Sequence, residues 1–142
     1  MSRAYIFGPI SFHGQRYLPV YKKAISVCQR YFDEVIGSYP TFWESDESPR
    51  EYYERIRKTI ITADLFIGEF SQPSHGVGME IQMSYDHKIP LIALVEKGEK
   101  ISKMILGLEN LKTVIEYEGL EELGERLEES LVKIIGVQHR FI

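Results

Sequence analysis

Short apolar runs of strand length alternate with longer stretches of helical period along this chain, the pattern that gives a parallel sheet with helices on both faces. Ala4–Phe7 reads as a first strand, and Tyr17–Phe32 as a first helix in which Pro19 is tolerated only in the opening turn. A short second strand falls at Glu34–Ile36, before a loop over Gly37–Glu47 that is rich in turn formers and aromatics. Ser48-Pro49-Arg50-Glu51 combines an N-cap, a first-turn proline and a capping-box acid, so a second helix starts there and continues to Thr62. Leu65–Glu69 is a third strand, Val77–His87 a third helix, and Ile89–Val95 a buried fourth strand with Pro90 at its entry. After a charged turn over Lys97–Lys100 come a short helix through Met104, a strand near Thr113–Tyr117 and a last helix over Leu120–Ile135. Leu120, Leu123, Leu127 and Leu131 keep a helical period through the acid-rich stretch Glu118–Glu129, which makes those acids a solvated helix face.

The stretch from Ala63 to Ile81 departs most from a plain structural pattern. Its strand passes into a helix through Gln72-Pro73-Ser74-His75-Gly76-Val77-Gly78, where glycines allow backbone angles or close ligand approach that side chains forbid, and where exposed amides suit an anion. Glu80 follows in the first turn of that helix. A lone acid there ordinarily complements the helix dipole and faces water. Met79, Ile81 and Met83 surround this one with apolar neighbours, and it follows a strand end, where open parallel sheets bind ligands. A carboxylate so placed can stabilise an oxocarbenium-like sugar or bond to it, provided that it is ionised; helix-start amides and a tyrosine hydroxyl favour that form. Tyr5, on the neighbouring first strand, can supply the hydroxyl or can equally be a core tyrosine with its tip in water.

Length and composition set bounds. A chain of 142 residues, 44% hydrophobic and 27% charged, is long enough for one core and is expected to form a single domain over residues 1–142. No apolar run approaches membrane-spanning length, and Met1-Ser2-Arg3 leads straight into a short strand rather than a signal peptide, so a cytoplasmic location with no membrane partner is expected. A net charge of −4 argues against a nucleic-acid polymer as partner. Cys28 is the only cysteine and reads as a buried structural thiol, while His13, His75, His87 and His139 show no metal-ligand pairing; neither a metal nor another cofactor is expected.

Gln72-Pro73-Ser74-His75-Gly76-Val77-Gly78-Met79-Glu80, preceded by Ala63-Asp64 and a strand ending in Glu69, resembles the signature of the 2'-deoxynucleoside 5'-monophosphate N-glycosidases, relatives of the nucleoside 2-deoxyribosyltransferases. Tyr5-Ile6-Phe7-Gly8-Pro9-Ile10 is similar to the family's first strand and glycine turn, with Gly8-Pro9 closer to the transferase form; Ile101-Ser102-Lys103-Met104-Ile105-Leu106-Gly107 is similar to a segment that reaches a neighbouring subunit's phosphate site. The resemblance implies an α/β, flavodoxin-like or Rossmann-like three-layer fold with a five-stranded, mostly parallel sheet. It implies a homodimer with shared active sites, Glu80 as the nucleophile that forms a glycosyl-enzyme intermediate, and Tyr5 as the group that orients it. Gly8, Pro9, Ile10, Ser74, Gly76, Gly78 and Ser102 map onto nucleotide-binding positions. Each serine is equally a helix cap or turn residue.

The chain also departs from the family. Ile56 stands where an aspartate is usual, seven residues before Ala63-Asp64, and Pro9 and Ser11 replace a serine and an arginine. Glu54, Arg55 and Arg57 lie beside Ile56 but point in different directions on a helix; Glu44, Asp46 and Glu69 are further carboxylates that can approach the ligand, Glu69 being equally able to pair with an amide at its strand end, and Arg16 or His13 can compensate at the phosphate. Tyr39, Phe42 and Trp43 can sandwich a base, or cap the sheet. Three functions fit: hydrolysis of a nucleoside monophosphate, transfer of its deoxyribose between bases, or nucleotide sensing without catalysis.

Overall fold

The computed structural model describes residues 2–9, 14–37 and 46–139. Ile10, Ser11, His13, Tyr39, Phe42, Trp43 and Glu44 lie outside them. Five strands, β1 (Arg3–Phe7), β2 (Glu34–Gly37), β3 (Leu65–Glu69), β4 (Leu91–Glu96) and β5 (Leu111–Tyr117), form one sheet in the order β2-β1-β3-β4-β5. Every pairing is parallel, so the sheet is wholly rather than mostly parallel, and its order is the flavodoxin-like one. The helices are α1 (Gly14–Cys28), α2 (Pro49–Ile61), α3 (His75–Asp86), α4 (Lys103–Leu106) and α5 (Leu120–His139).

The central strands β1, β3 and β4 are covered on both faces, which is why they read as continuous apolar runs. The pleat sorts their residues. Ala4, Ile6, Leu65, Ile67, Ile92 and Leu94 pack with Tyr21, Ala24 and Val27 of α1 and with Leu123, Leu127 and Leu131 of α5. Tyr5, Phe7, Phe66, Leu91 and Ala93 point the other way and pack with Ile56 and Ile60 of α2 and Val77 and Ile81 of α3. Tyr5 therefore shares a face with the helix that carries Glu80.

Local chemistry sets the boundaries. The expected capping box at α2 is present: the Glu51 amide donates to the Ser48 hydroxyl, and the Glu51 side chain accepts from the Ser48 amide. The α1 helix starts earlier than its proline suggested, so Pro19 sits in the second turn rather than the first. The same helix ends at Cys28 instead of Phe32, where i→i+3 bonds from Arg30 to Val27 and from Tyr31 to Cys28 replace the helical ladder. At α3 the start is also earlier than expected, because Ser74 caps it directly.

Two glycines are fixed by packing near the carboxyl ends of the strands. A Cβ on Gly8 would lie 2.3 Å from the Tyr21 hydroxyl, which donates a 2.9 Å hydrogen bond to the Pro9 carbonyl. One on Gly68 would lie 2.4 Å from the Phe70 ring. The turns after β1 and β3 are thus held against side chains that only glycine admits.

Candidate active site

In this strand order β1 lies between β2 and β3, so the chain leaves β1 toward one edge and returns to build the other. The crevice at the carboxyl ends of β1 and β3 is where sheets of this kind bind ligands. Tyr5 comes from β1 and Glu80 from α3, which follows β3; because α3 starts at His75, Glu80 lies in its second turn and not, as expected, in its first.

Tyr5 is fully buried. Its ring stacks on Phe7 at 5.7 Å and meets Phe66 edge-on at 5.2 Å. The Tyr5 hydroxyl and Glu80 Oε2 are both buried, and neither has a hydrogen-bond partner among the described residues. Burial pushes the Tyr5 hydroxyl well above its ordinary pKa, reinforced by the charges of Glu80 and Tyr52 and opposed by Arg55. Burial alone pushes the Glu80 carboxyl up to about 8. The expectation that helix-start amides and the tyrosine hydroxyl would keep Glu80 ionised is therefore corrected for the unliganded site. Desolvation disfavours the charge, and no bond at Oε2 offsets it. Among the described residues Asn110 Oδ1 is likewise buried without a partner; most buried polar groups are paired, so unpaired ones are open to a ligand.

Of the remaining predicted residues, Ser74, Gly78 and Ser102 line a cavity that includes neither Tyr5 nor Glu80 in its walls. Ser74 and Ser102 are N-caps, of α3 and α4 respectively: the Ser74 hydroxyl accepts from the Val77 amide at 3.4 Å and the Ser102 hydroxyl from the Met104 amide at 3.1 Å. Each hydroxyl keeps its own proton to donate. Both serines, with Gln72, Gly78 and Lys100, line this cavity of about 340 Å³, whose walls include Phe70, Val77 and Ile81. A Cβ on Gly76 or Gly78 would meet nothing within 4 Å, and neither glycine has a positive φ. Of the two reasons expected for these glycines, special backbone angles are not used. Close approach by something outside the chain is the one left, since glycine within a helix otherwise costs about 1 kcal/mol.

Ile56 is buried in the apolar cluster with Tyr5, Phe7 and Ile60, so no polar group occupies that point. Tyr52, one turn earlier on the same face, is the neighbour missed in the sequence; a spacing of four through Tyr52, Ile56 and Ile60 is the signal that places it there. Burial first, then the charge of Glu80, raises the Tyr52 hydroxyl to about 12. The Arg55 guanidinium lies 5.3 Å from the centre of the Tyr52 ring and is gripped by both Glu47 carboxylate oxygens at 2.8–3.1 Å. Of the other candidates, Arg16 pairs with Glu96 at 3.0 Å. Glu69 bonds the Ser71 amide and the Tyr117 hydroxyl. The Cys28 thiol is buried and pushed up to about 12 by that burial. Among the described residues no group of three His, Cys, Asp or Glu could hold a metal ion, and no helix is long and apolar enough to cross a membrane.

No model of a known protein family matches the chain. Curated relatives do. A protein of Thermofilum pendens assigned the name 2'-deoxynucleoside 5'-phosphate N-hydrolase 1 is 36% identical over 99 residues, covering 67% of this chain and 68% of its own length. A Nematostella vectensis protein with the same assigned name is 31% identical over 118 residues, covering 77% and 80%. Among solved structures, the Clostridium botulinum CMP N-glycosidase BcmB superposes with a TM-score of 0.69 at 18% identity, over 91% of this chain and 99% of that one. A 2-deoxyribosyltransferase of Bacillus psychrosaccharolyticus gives 0.64 at 19% identity, over 92% and 96%. At these identities the superpositions establish the fold.

The burial of Glu80 has a measurable consequence for stability. Its folded-state pKa lies above the ordinary 4.5, so the native state holds the proton more tightly than the unfolded chain does. The stability linked to that proton is fully present below about 4.5 and is lost as pH rises through about 8. Without ligand, Glu80→Gln and the natural protein should have similar denaturation midpoints near pH 5, with the variant the more stable near about pH 9. A difference that does not change with pH would show that Glu80 is not held protonated.

Proposed function

Because the chain belongs to the 2'-deoxynucleoside 5'-phosphate N-hydrolase family, we propose that it hydrolyses the N-glycosidic bond of a (2'-deoxy)nucleoside 5'-monophosphate to free base and (deoxy)ribose 5-phosphate, with Glu80 as nucleophile. The observation that carries this reading is that the Tyr5 hydroxyl and Glu80 Oε2, from β1 and from the helix after β3, are both buried without a partner among the described residues.

In the first step the Glu80 carboxylate bonds to the anomeric carbon; the glycosidic bond breaks, and its electron pair leaves with the base, which takes up a proton. In the second, water attacks the same carbon, releases Glu80 as a carboxylate and gives up a proton. The net change is addition of one water. The Tyr5 hydroxyl is too hard to ionise to act as a base, so it serves as a donor. Donation from Tyr5 to Glu80 as substrate enters favours the ionised, nucleophilic form that the unliganded site resists. The phosphate is met at the start of α3, where the Ser74 hydroxyl and the His75 and Gly76 amides, beyond reach of any helical carbonyl, can donate to it. Gly8 and Pro9 border the crevice from the β1 side, held in place by Tyr21.

Transfer of the sugar to a second base is the alternative, supported by the transferase-like Gly8-Pro9 turn. The two reactions share the intermediate and differ in whether water or a base intercepts it. The working unit is a homodimer, acting in the cytoplasm, in which Ser102 serves the neighbouring subunit's phosphate site. The open apolar side chains beside Ser102 support the assembly: Met104 is 84% exposed and Leu106 50% exposed.

Incubation with a panel of nucleosides and their monophosphates, with and without a second free base, should yield free base and sugar phosphate irrespective of the added base. Formation of a new nucleotide in its presence would identify a transferase instead. Glu80→Gln should bind substrate yet lose turnover by about a thousandfold or more, because covalent catalysis acts in the transition state; retention of most turnover would remove Glu80 from the mechanism. Sedimentation equilibrium should return about twice the chain mass of 16.5 kDa, and a fully active monomer would refute the shared site.

A further inference from the structure

The segment from Phe70 to Ser74 joins β3 to α3 without helix or strand structure of its own, yet it decides where Ser74 and the first amides of α3 stand. Its anchors lie behind it, toward the far edge of the sheet. Glu69, the last residue of β3, is 1% exposed. One of its carboxylate oxygens accepts from the Ser71 amide, and the other from the hydroxyl of Tyr117 at the end of β5. The Ser71 hydroxyl accepts from the Glu96 amide of β4 at 2.8 Å. The Phe70 amide extends the ladder to the Leu94 carbonyl at 2.9 Å, and its ring packs over Gly68 against Phe7. Three strands thus hold one turn.

A carboxylate is a costly choice for a buried anchor, since an uncharged side chain of the same shape avoids the desolvation. It also gives the stronger bonds: both partners donate to a charged acceptor. We propose that Glu69 is a positioning residue for phosphate recognition, its carboxylate clamped between Tyr117 and Ser71 so that the following turn presents the Ser74 hydroxyl and the open amides of α3 to the phosphate of the substrate. The inference rests on the monophosphate reading given under the proposed function. Glu69 itself touches no substrate, because both of its oxygens are engaged inside the fold.

Steady-state kinetics of the natural protein, Glu69→Gln, Glu69→Ala and Tyr117→Phe on one nucleoside monophosphate and on its parent nucleoside, with a melting curve for each protein, separate the two claims. The ratio of kcat/KM between the two substrates in the natural protein tests the monophosphate reading; the change of that ratio in the variants tests the positioning role. Glu69→Ala and Tyr117→Phe should lower the ratio by about tenfold, through KM of the monophosphate, with kcat and the nucleoside's parameters within about twofold. Glu69→Gln, which keeps an acceptor for Ser71 and gains a donor for the Tyr117 oxygen, should recover most of the loss. Should Glu69→Ala fail to fold, Tyr117→Phe, which removes a single oxygen, carries the test. Equal losses on both substrates, or losses confined to kcat, overturn the positioning role while leaving the monophosphate reading intact. A natural protein that does not favour the phosphorylated substrate overturns that reading, and this inference with it.

Discussion

The reversal, after β2, of the direction in which strands are added across the sheet is the constraint on which the rest of this molecule depends. Because β1 is flanked by β2 on one side and β3 on the other, the connections after β1 and β3 leave in opposite directions and open a crevice at the strands' carboxyl ends. The pleat then aims Tyr5 at the α3 face, and the short turn after Glu69 brings the start of α3 over the same crevice. No catalytic residue has to reach far. Tyr5 stands on a strand of the sheet itself, and Glu80 on a helix already required to cover it.

The same burial that stabilises the sheet creates its chemical tension. Tyr5, Phe7 and Phe66 form a ring cluster that excludes water from one face, and this exclusion leaves a hydroxyl and a carboxyl without partners. An unsatisfied buried polar group costs about 1–3 kcal/mol, a cost that the apolar packing around it offsets and that substrate binding can relieve. Other buried side chains find partners for most of their polar atoms. Asn110 donates to the Ser84 hydroxyl and the Ile89 carbonyl, and Glu69 has a donor for each oxygen. Asn110 Oδ1, however, is buried without a partner among the described residues, as Glu80 Oε2 is.

Much of this was legible from residue order alone. Period and punctuation located all five strands and the capping box at Ser48, because those features depend on neighbours close in sequence or on simple alternation. What escaped depends on strand order. Of the two readings of Glu69, the bond to an amide at the strand end is the one found, from Ser71; its second partner, Tyr117, lies 48 residues away, and nothing local in the sequence pairs the two. Gly76 and Gly78 looked like turn residues and are helical, so their purpose lies in the space around them rather than in their dihedral angles. The protonation of Glu80 was misjudged for a related reason: helix-start amides were within reach in sequence, but the depth of burial that outweighs them is a property of the assembled layers.

The account turns on a covalent bond between Glu80 and the sugar, and the most direct measurement is the mass of the protein during turnover. A monophosphate substrate carrying fluorine at the 2' carbon disfavours an oxocarbenium-like transition state and slows breakdown of any glycosyl-enzyme more than it hinders capture by a good leaving group. Mass spectrometry of the quenched mixture should show the protein heavier by one sugar phosphate, and proteolysis should place the added mass on the peptide that contains Glu80. Base release without an adduct at any time point, or an adduct on another residue, would contradict the mechanism.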